Sequence, residues 1–196
     1  TKNEQADTTE DNEKLRKERL TELVENQKER TDLSLFDEDK FWEIVKEAKA
    51  VSQNRYEYFL GAFKFRVQKQ GVNQLIPIDN LIRKLYEDSY THLNVNAGNI
   101  FFQNSSVNLF LVFISLMIME GRIFYENASM NPELMANRSF EEVVGRDLSL
   151  VVEDLYLELK GELIPLCPKR EVKIKGKEIK PNEIPRTLPD LWSKYV

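Results

Sequence analysis

The chain has one cysteine, Cys167, and one histidine, His92. A single cysteine excludes an internal disulfide framework and fits a reducing compartment. With a single histidine as well, the zinc patterns built from histidine and cysteine are excluded. Long apolar runs are missing too. The most apolar stretch, Val107–Met119, is only thirteen residues, is interrupted by Asn108 and Ser115, and is closed by Glu120 and Arg122. A bilayer span needs about 20 predominantly apolar residues, so no membrane span is expected. Positive charge is not in excess: the formal net charge of −5 argues against a nucleic-acid partner. There is no Gly-rich phosphate loop, no Gly-x-Ser-x-Gly elbow, no His-Glu-x-x-His and no acidic calcium loop. These absences count against a familiar enzyme, and no cofactor is expected. The opening TKNEQADTTED shows no charged-then-apolar leader. A cytoplasmic protein is therefore expected, or one tethered outside the cytoplasm if a signal has been removed ahead of Thr1.

What is present is enough for a core. The 196 residues are 41% hydrophobic and 10% aromatic, which suits one domain with attachments. Residues 1–35 form a charged N-terminal helix or tether with a thin stripe of Leu15, Leu20, Leu23 and Val24. Such a helix is marginal alone and needs a docking surface or a partner. From residue 36 the periodicity is that of packed helices. Phe41, Trp42, Ile44, Val45, Ala48 and Val51 share one face, with Asp37 or Asp39 as cap. Tyr56, Phe59, Leu60, Phe63 and Val67 share the next, stopped by Gly71. Pro77 opens a third helix with Ile78, Leu81, Ile82, Leu85 and Tyr86 inward. The stretch from 107 is apolar all round, as a helix packed on most sides must be, and is expected to run to about Asn127. A capping box from Ser139 to Glu142 predicts a helix that ends at Gly161, with Gly145 as a possible kink.

After Pro165 and Pro168 the pattern changes. EVKIKGKEIKP alternates apolar residues with lysines around Lys175-Gly176, a short hairpin signal. Residues 169–180 carry six basic residues against two acidic ones, which reads as a solvated lysine-rich edge. Pro181, Pro185 and Pro189 then predict an extended strap, anchored by Leu188, Leu191, Trp192 and Tyr195.

Three groups of residues could carry chemistry. Asn99, Asn104, Ser105 and Ser106 belong to a polar loop over 94–108 at the mouth of the apolar helix, where free N–H groups could take an anion. The competing reading is a connector whose Asn and Ser side chains cap turns. Glu120 could act as a general acid or base if buried, with Arg122 beside it. The plainer reading pairs Arg122 with Glu126, four residues on. His92 is read at the end of a helix, favoured by the dipole, and Cys167 as an inert thiol. Asn104, Asn127 and Asn137 each satisfy Asn-x-Ser, and these matches are taken as accidental.

The order of these features resembles a bacterial family known as domain of unknown function 4240. The Phe41-Trp42 pair matches that family's first helix. Ala97, Ser106, Phe110, Phe113, Ile118 and Gly121 fall on its central block, and Asn131, Pro132, Glu133, Leu134 and Ala136 on the turn that follows. Ile184, Pro185, Pro189, Leu191 and Tyr195 are similar to its closing element. The resemblance covers residues 36–196. The family's paired aspartates fall on Val107 and Asn108, its arginine on Ile114, its tryptophan on Leu116 and its Gly-Gly on Gln103-Asn104. It implies an architecture and no mechanism.

The expected fold is mainly α: a single helical bundle around a buried central helix, with a charged N-terminal helix and a short C-terminal hairpin or strap. The expected units are residues 1–35, an α-helical core over 36–168, and a hairpin and docking arm over 169–196. The first functional expectation is a non-enzymatic interaction or regulatory module with a protein partner, such as a toxin to neutralise. The alternative is a small enzyme or ligand-binding domain that uses Glu120 and the 94–108 loop.

Overall fold

A computed structural model describes residues 2–168 and 171–196, with side chains from residue 14 onward. The charged N-terminal stretch forms α1 (Lys2–Glu25), and its thin stripe buries little: Leu15, Leu20 and Val24 are exposed. The chain then turns back as an extended segment against the bundle. Arg30 N donates to Leu166 O at 2.8 Å, Leu166 N to Lys28 O at 2.9 Å, and Phe36 N to Pro77 O at 3.1 Å.

The core is helical for the reasons its periodicity suggests. In α2 (Glu38–Ser52), Asp37 caps by accepting from Lys40 N at 3.0 Å, and Glu38 and Asp39 meet the positive end of the helix dipole. Phe41, Trp42, Ile44, Val45 and Ala48 are buried, while Val51 is exposed. α3 (Tyr56–Gln68) returns alongside, with the rings of Tyr56, Phe59 and Phe63 stacked in series at 6.3 and 6.0 Å. Gly71, at φ 88°, turns the chain through a 3-10 turn (Val72–Gln74) into α4 (Leu75–Asp88).

The most apolar segment is α6 (Val107–Met119), whose residues from Val112 to Met119 are all buried. It is the centre of the bundle, flanked by α5 (His92–Phe102) and α7 (Arg122–Met130). Gly98 permits the crossing of α5 over α6. A Cβ there would stand 3.4 Å from Phe113 Cγ, in van der Waals contact, which leaves little room for anything longer. α8 (Leu148–Lys160) packs on α3 and α4. Among the described residues no single helix is long and apolar enough to cross a membrane. Only α5 and α6 together reach that length and composition, and they are bent by 95°.

The C-terminal arm docks. α9 (Ile184–Thr187) leads into α10 (Pro189–Tyr195), which lies on α5 and on the 3-10 turn Pro132–Asn137. Leu188 and Leu191 are fully buried, and Lys194 Nζ donates to the carbonyls of Ala136 and Arg138 at 2.7 and 2.9 Å.

Several local expectations change. The central helix stops at Met119, because Gly121 takes φ 97° and α7 starts afresh. The capping box at Ser139 does not form. Glu142 has φ 54°, Glu141 bridges to Arg55, and Asp147 caps the helix eight residues later than expected. Most of the polar stretch from Asn94 is helical, so the connector shrinks to 103–106 and His92 begins α5 instead of ending a helix. Among the described residues of 171–180 there is no hairpin ladder. Lys175 bonds instead across to α5's entry, donating to Tyr90 O at 3.0 Å and accepting from His92 N at 3.0 Å. The proline-rich strap contains one helical turn, α9, with Pro185 in the first turn, where a missing N–H costs nothing. Lys169 and Arg170 of the basic edge lie outside the described residues.

Candidate functional site

The inner face of α4 carries charge. Asp79 and Arg83, four residues apart, share a face, and the Asp79 carboxylate is fully buried. A carboxylate in that position must be paired and fully hydrogen-bonded. Its Oδ2 accepts from Arg30 Nη2 at 2.8 Å and from Arg83 Nε at 2.7 Å, and its Oδ1 accepts from Ser149 Oγ at 2.6 Å. Arg83 Nη2 reaches on to Glu153 Oε1 on α8 at 2.5 Å. Arg30, itself buried, also donates to Asn80 Oδ1 at 2.6 Å and to Pro165 O at 3.1 Å. One network therefore ties the N-terminal segment, α4, α8 and the segment after α8.

A second cluster adjoins it. Asp147, 4% exposed, caps α8: its Oδ1 accepts from Ser149 N at 2.8 Å, Leu150 N at 3.3 Å and the Tyr86 hydroxyl at 3.2 Å. Tyr86 Oη also lies 2.7 Å from Ser115 Oγ and accepts from Leu148 N at 3.0 Å. Burial pushes the Asp147 carboxyl above its ordinary range, against its backbone hydrogen bonds. Glu153 is raised as well, first by burial and then by the neighbouring Asp79 charge. Burial alone would weaken the charge on Arg83, but Asp79 holds it firmly protonated.

Some of these groups form the floor of a cavity of about 950 Å³ between α4, the start of α6 and α8. Asn80, Arg83, Tyr86, Asp147, Ser149 and Glu153 supply polar groups to it, with Lys84, Glu87 and Asn108 beside them. Its walls are apolar, with Phe110 and Leu111 from α6 and Leu150 from α8. Leu33 and Leu35 from the N-terminal segment and Cys167, Pro168 and Val172 from the C-terminal segment complete the rim.

Except for Cys167, the residues singled out in the sequence lie elsewhere and apart from one another. Glu120, with its side chain 8% exposed, is held by Lys49 Nζ at 2.8 Å and Arg138 Nε at 3.3 Å. Arg122 faces another way, to Glu126 at 2.9 Å, Asp39 at 2.8 Å and Glu38 at 3.5 Å. Asn99 lines a smaller concavity of about 450 Å³ with Asn96, Gln103, Trp192 and Tyr195. Asn104, Ser105 and Ser106 are exposed in the α5–α6 connector, and Ser106 makes no side-chain capping bond. Of the 94–108 stretch, Val107 and Asn108 reach the larger cavity. His92 is half-buried at the head of α5, and Cys167 is a half-buried free thiol on the cavity rim. Among the described residues no group of three or more His, Cys, Asp or Glu could hold a metal ion.

Sequence reasoning missed the cavity residues Arg83, Asp147 and Glu153, and the buried Asp79 that holds Arg83. The usable signal was the charged pair Asp79 and Arg83 interleaved with Ile78, Leu81 and Ile82, which places charge beside the apolar stripe of a helix.

A family model described as Protein of unknown function (DUF4240) matches residues 36–158. No curated protein and no solved structure matches the chain. The matched region starts at the head of α2 and ends within α8, so it includes α4 and the whole cavity floor. Arg30 and the rim residues Leu33, Leu35 and Cys167 fall outside it. The match spans more than half of the chain, and the chain therefore belongs to the family described as Protein of unknown function (DUF4240).

Proposed function

We propose that this protein is a ligand-binding domain whose site is the cavity between α4, α6 and α8. The observation that carries the reading is the pairing of a ligand-sized volume with apolar walls over a small set of convergent polar groups. Binding sites of about 300–1,000 Å³ share that composition. Asp147 and Tyr86 add what acid–base chemistry would need, a carboxyl with a raised pKa in hydrogen-bond contact with a hydroxyl. The test is a fragment screen on the isotope-labelled full chain, read by amide chemical shifts. The reading expects shifts to gather on Leu111, Leu150 and the Pro168 flank. Hits that gather elsewhere, or none at all, overturn it.

A second reading, an interaction or regulatory module that binds a protein such as a toxin, is supported by α1. That helix leaves Leu15, Leu20 and Val24 63%, 53% and 60% exposed between charged residues. Such a stripe is stable as a helix when something covers it. Comparing partners captured by the full chain and by a chain lacking residues 2–25 tests this reading. A capture profile unchanged by the deletion counts against it. A cytoplasmic location is proposed with either reading, on the unpaired Cys167 thiol.

A further inference from the structure

The chemistry of the cavity narrows its ligand, an inference that rests on reading the cavity as a binding site. Its cations are already engaged. Arg83 lies between Asp79 and Glu153 at 2.7 and 2.5 Å, and Lys84 is held by Asp88 at 2.6 Å. Its carboxylates are not all matched: among the described residues, Asp147 and Glu87 have no ion-pair partner. Asp147 is the telling one. It is almost completely buried, and each of its hydrogen bonds enters Oδ1, so Oδ2 has no donor among the described residues. Asp147 Oδ2 is reached by solvent, so an N–H donor entering the cavity can take the place of water there. A positive donor gains more, because a charge-assisted bond is about twice as strong as a neutral one. An anion would instead meet Asp147 and Glu87, the lining carboxylates without an ion-pair partner among the described residues.

The walls set the other half of the ligand. Phe110, Leu111 and Leu150 give an apolar surface beside Asp147. Tyr90 meets Phe110 edge-on at 5.3 Å and adds an aromatic ring to the lining, of the kind that attracts cations. We propose that the cavity takes an amphipathic organic cation, its protonated amine on Asp147 Oδ2 and its hydrocarbon part between Phe110, Leu111 and Leu150.

Calorimetry on the full chain with three probes of equal length tests this: hexylammonium, hexanol and hexanoate. Hexylammonium should bind at least about tenfold more tightly than hexanol, with hexanoate weakest. Asp147→Asn keeps an oxygen for the α8 cap, and it should abolish that preference while hexanol still binds. Leu150→Trp, at a position 39% exposed, fills the cavity without disturbing the core and should weaken hexylammonium and hexanol together. It locates the site even if the Asp147 variant fails to fold. Equal binding of all three probes, or a preference for hexanoate, overturns the cationic class and leaves the cavity reading standing. A preference for hexylammonium undiminished in Leu150→Trp places the cation elsewhere and overturns the proposal. Binding of none of the three overturns both the proposal and the reading beneath it.

Discussion

Asp79 shows what a single residue can demand of a fold. A fully buried carboxylate is tolerable only because Arg30, Arg83 and Ser149 all point at it, and those three come from three separate parts of the chain. Removing one partner leaves charge without compensation. Arg30→Met should therefore cost about 3–5 kcal/mol in urea unfolding, although methionine fills a similar space. A loss under about 1 kcal/mol would mean that Arg83 alone satisfies Asp79. Asp147 predicts a dependence on pH with a definite sign. Its carboxyl is raised above the ordinary value of 3.8, so the folded state binds its proton more tightly than the unfolded state does. Its contribution to stability is then fullest below pH 3.8 and is lost as pH rises through the native pKa. Asp147→Asn should flatten the stability profile across that window and keep the helix cap. A profile identical to wild type would show that Asp147 titrates normally. The residues of both clusters are ordinary in sequence. A charged pair inside an apolar stripe was the visible sign, while the burial that makes Asp79 and Asp147 unusual comes from partners dozens of residues away.

Elements were more legible than residues, where local pattern and tertiary packing agree. α2 and α3 follow their apolar spacing because that spacing alone decides which face is buried. α6 was recognisable as central from its all-round apolarity, and its interior residues are indeed enclosed. Its end was misplaced because a glycine inside a helical pattern does not announce its φ, and Gly121 happens to use the left-handed side. The start of α8 was misplaced for a different reason. Ser139 and Glu142 fit a capping box, but the backbone there is claimed by the bridge from Glu141 to Arg55. Tertiary hydrogen bonding outweighed a local preference worth about 1 kcal/mol. Two predictions belong at this scale. Phe113→Ala removes a fully buried ring against which α5 closes and should cost about 3–5 kcal/mol, measured by denaturant midpoint. Deleting residues 181–196 uncovers the surface that Leu188 and Leu191 bury, and should lower the Tm and produce a dye-binding apolar patch. A truncated chain as stable as the full one would show that the arm contributes nothing to the bundle.

At the scale of the whole molecule, the cavity is a product of topology. Its floor comes from α4 and α8, its wall from α6, and its rim from Leu33, Leu35, Cys167, Pro168 and Val172, all outside the family-matched region. No local motif encodes such a site, since residues 33, 35, 80–90, 107–111, 147–153, 167, 168 and 172 meet only after folding. That is why the mainly α fold could be read from periodicity while the cavity could not. The polar stretch 94–108 stands out by composition, yet the structure uses it for α5 and an exposed connector, and of it Val107 and Asn108 touch the cavity. The molecule carries its own reporter of occupancy. Cys167 is the single cysteine, and it lies on the cavity rim. The central claim, that this cavity binds a ligand, is tested most directly by the rate at which a small alkylating agent modifies Cys167. That rate is measured in the full chain, with and without a probe shown by calorimetry to bind. Protection of Cys167 by about tenfold or more at saturating probe is the predicted result. An alkylation rate unchanged by bound probe would contradict it.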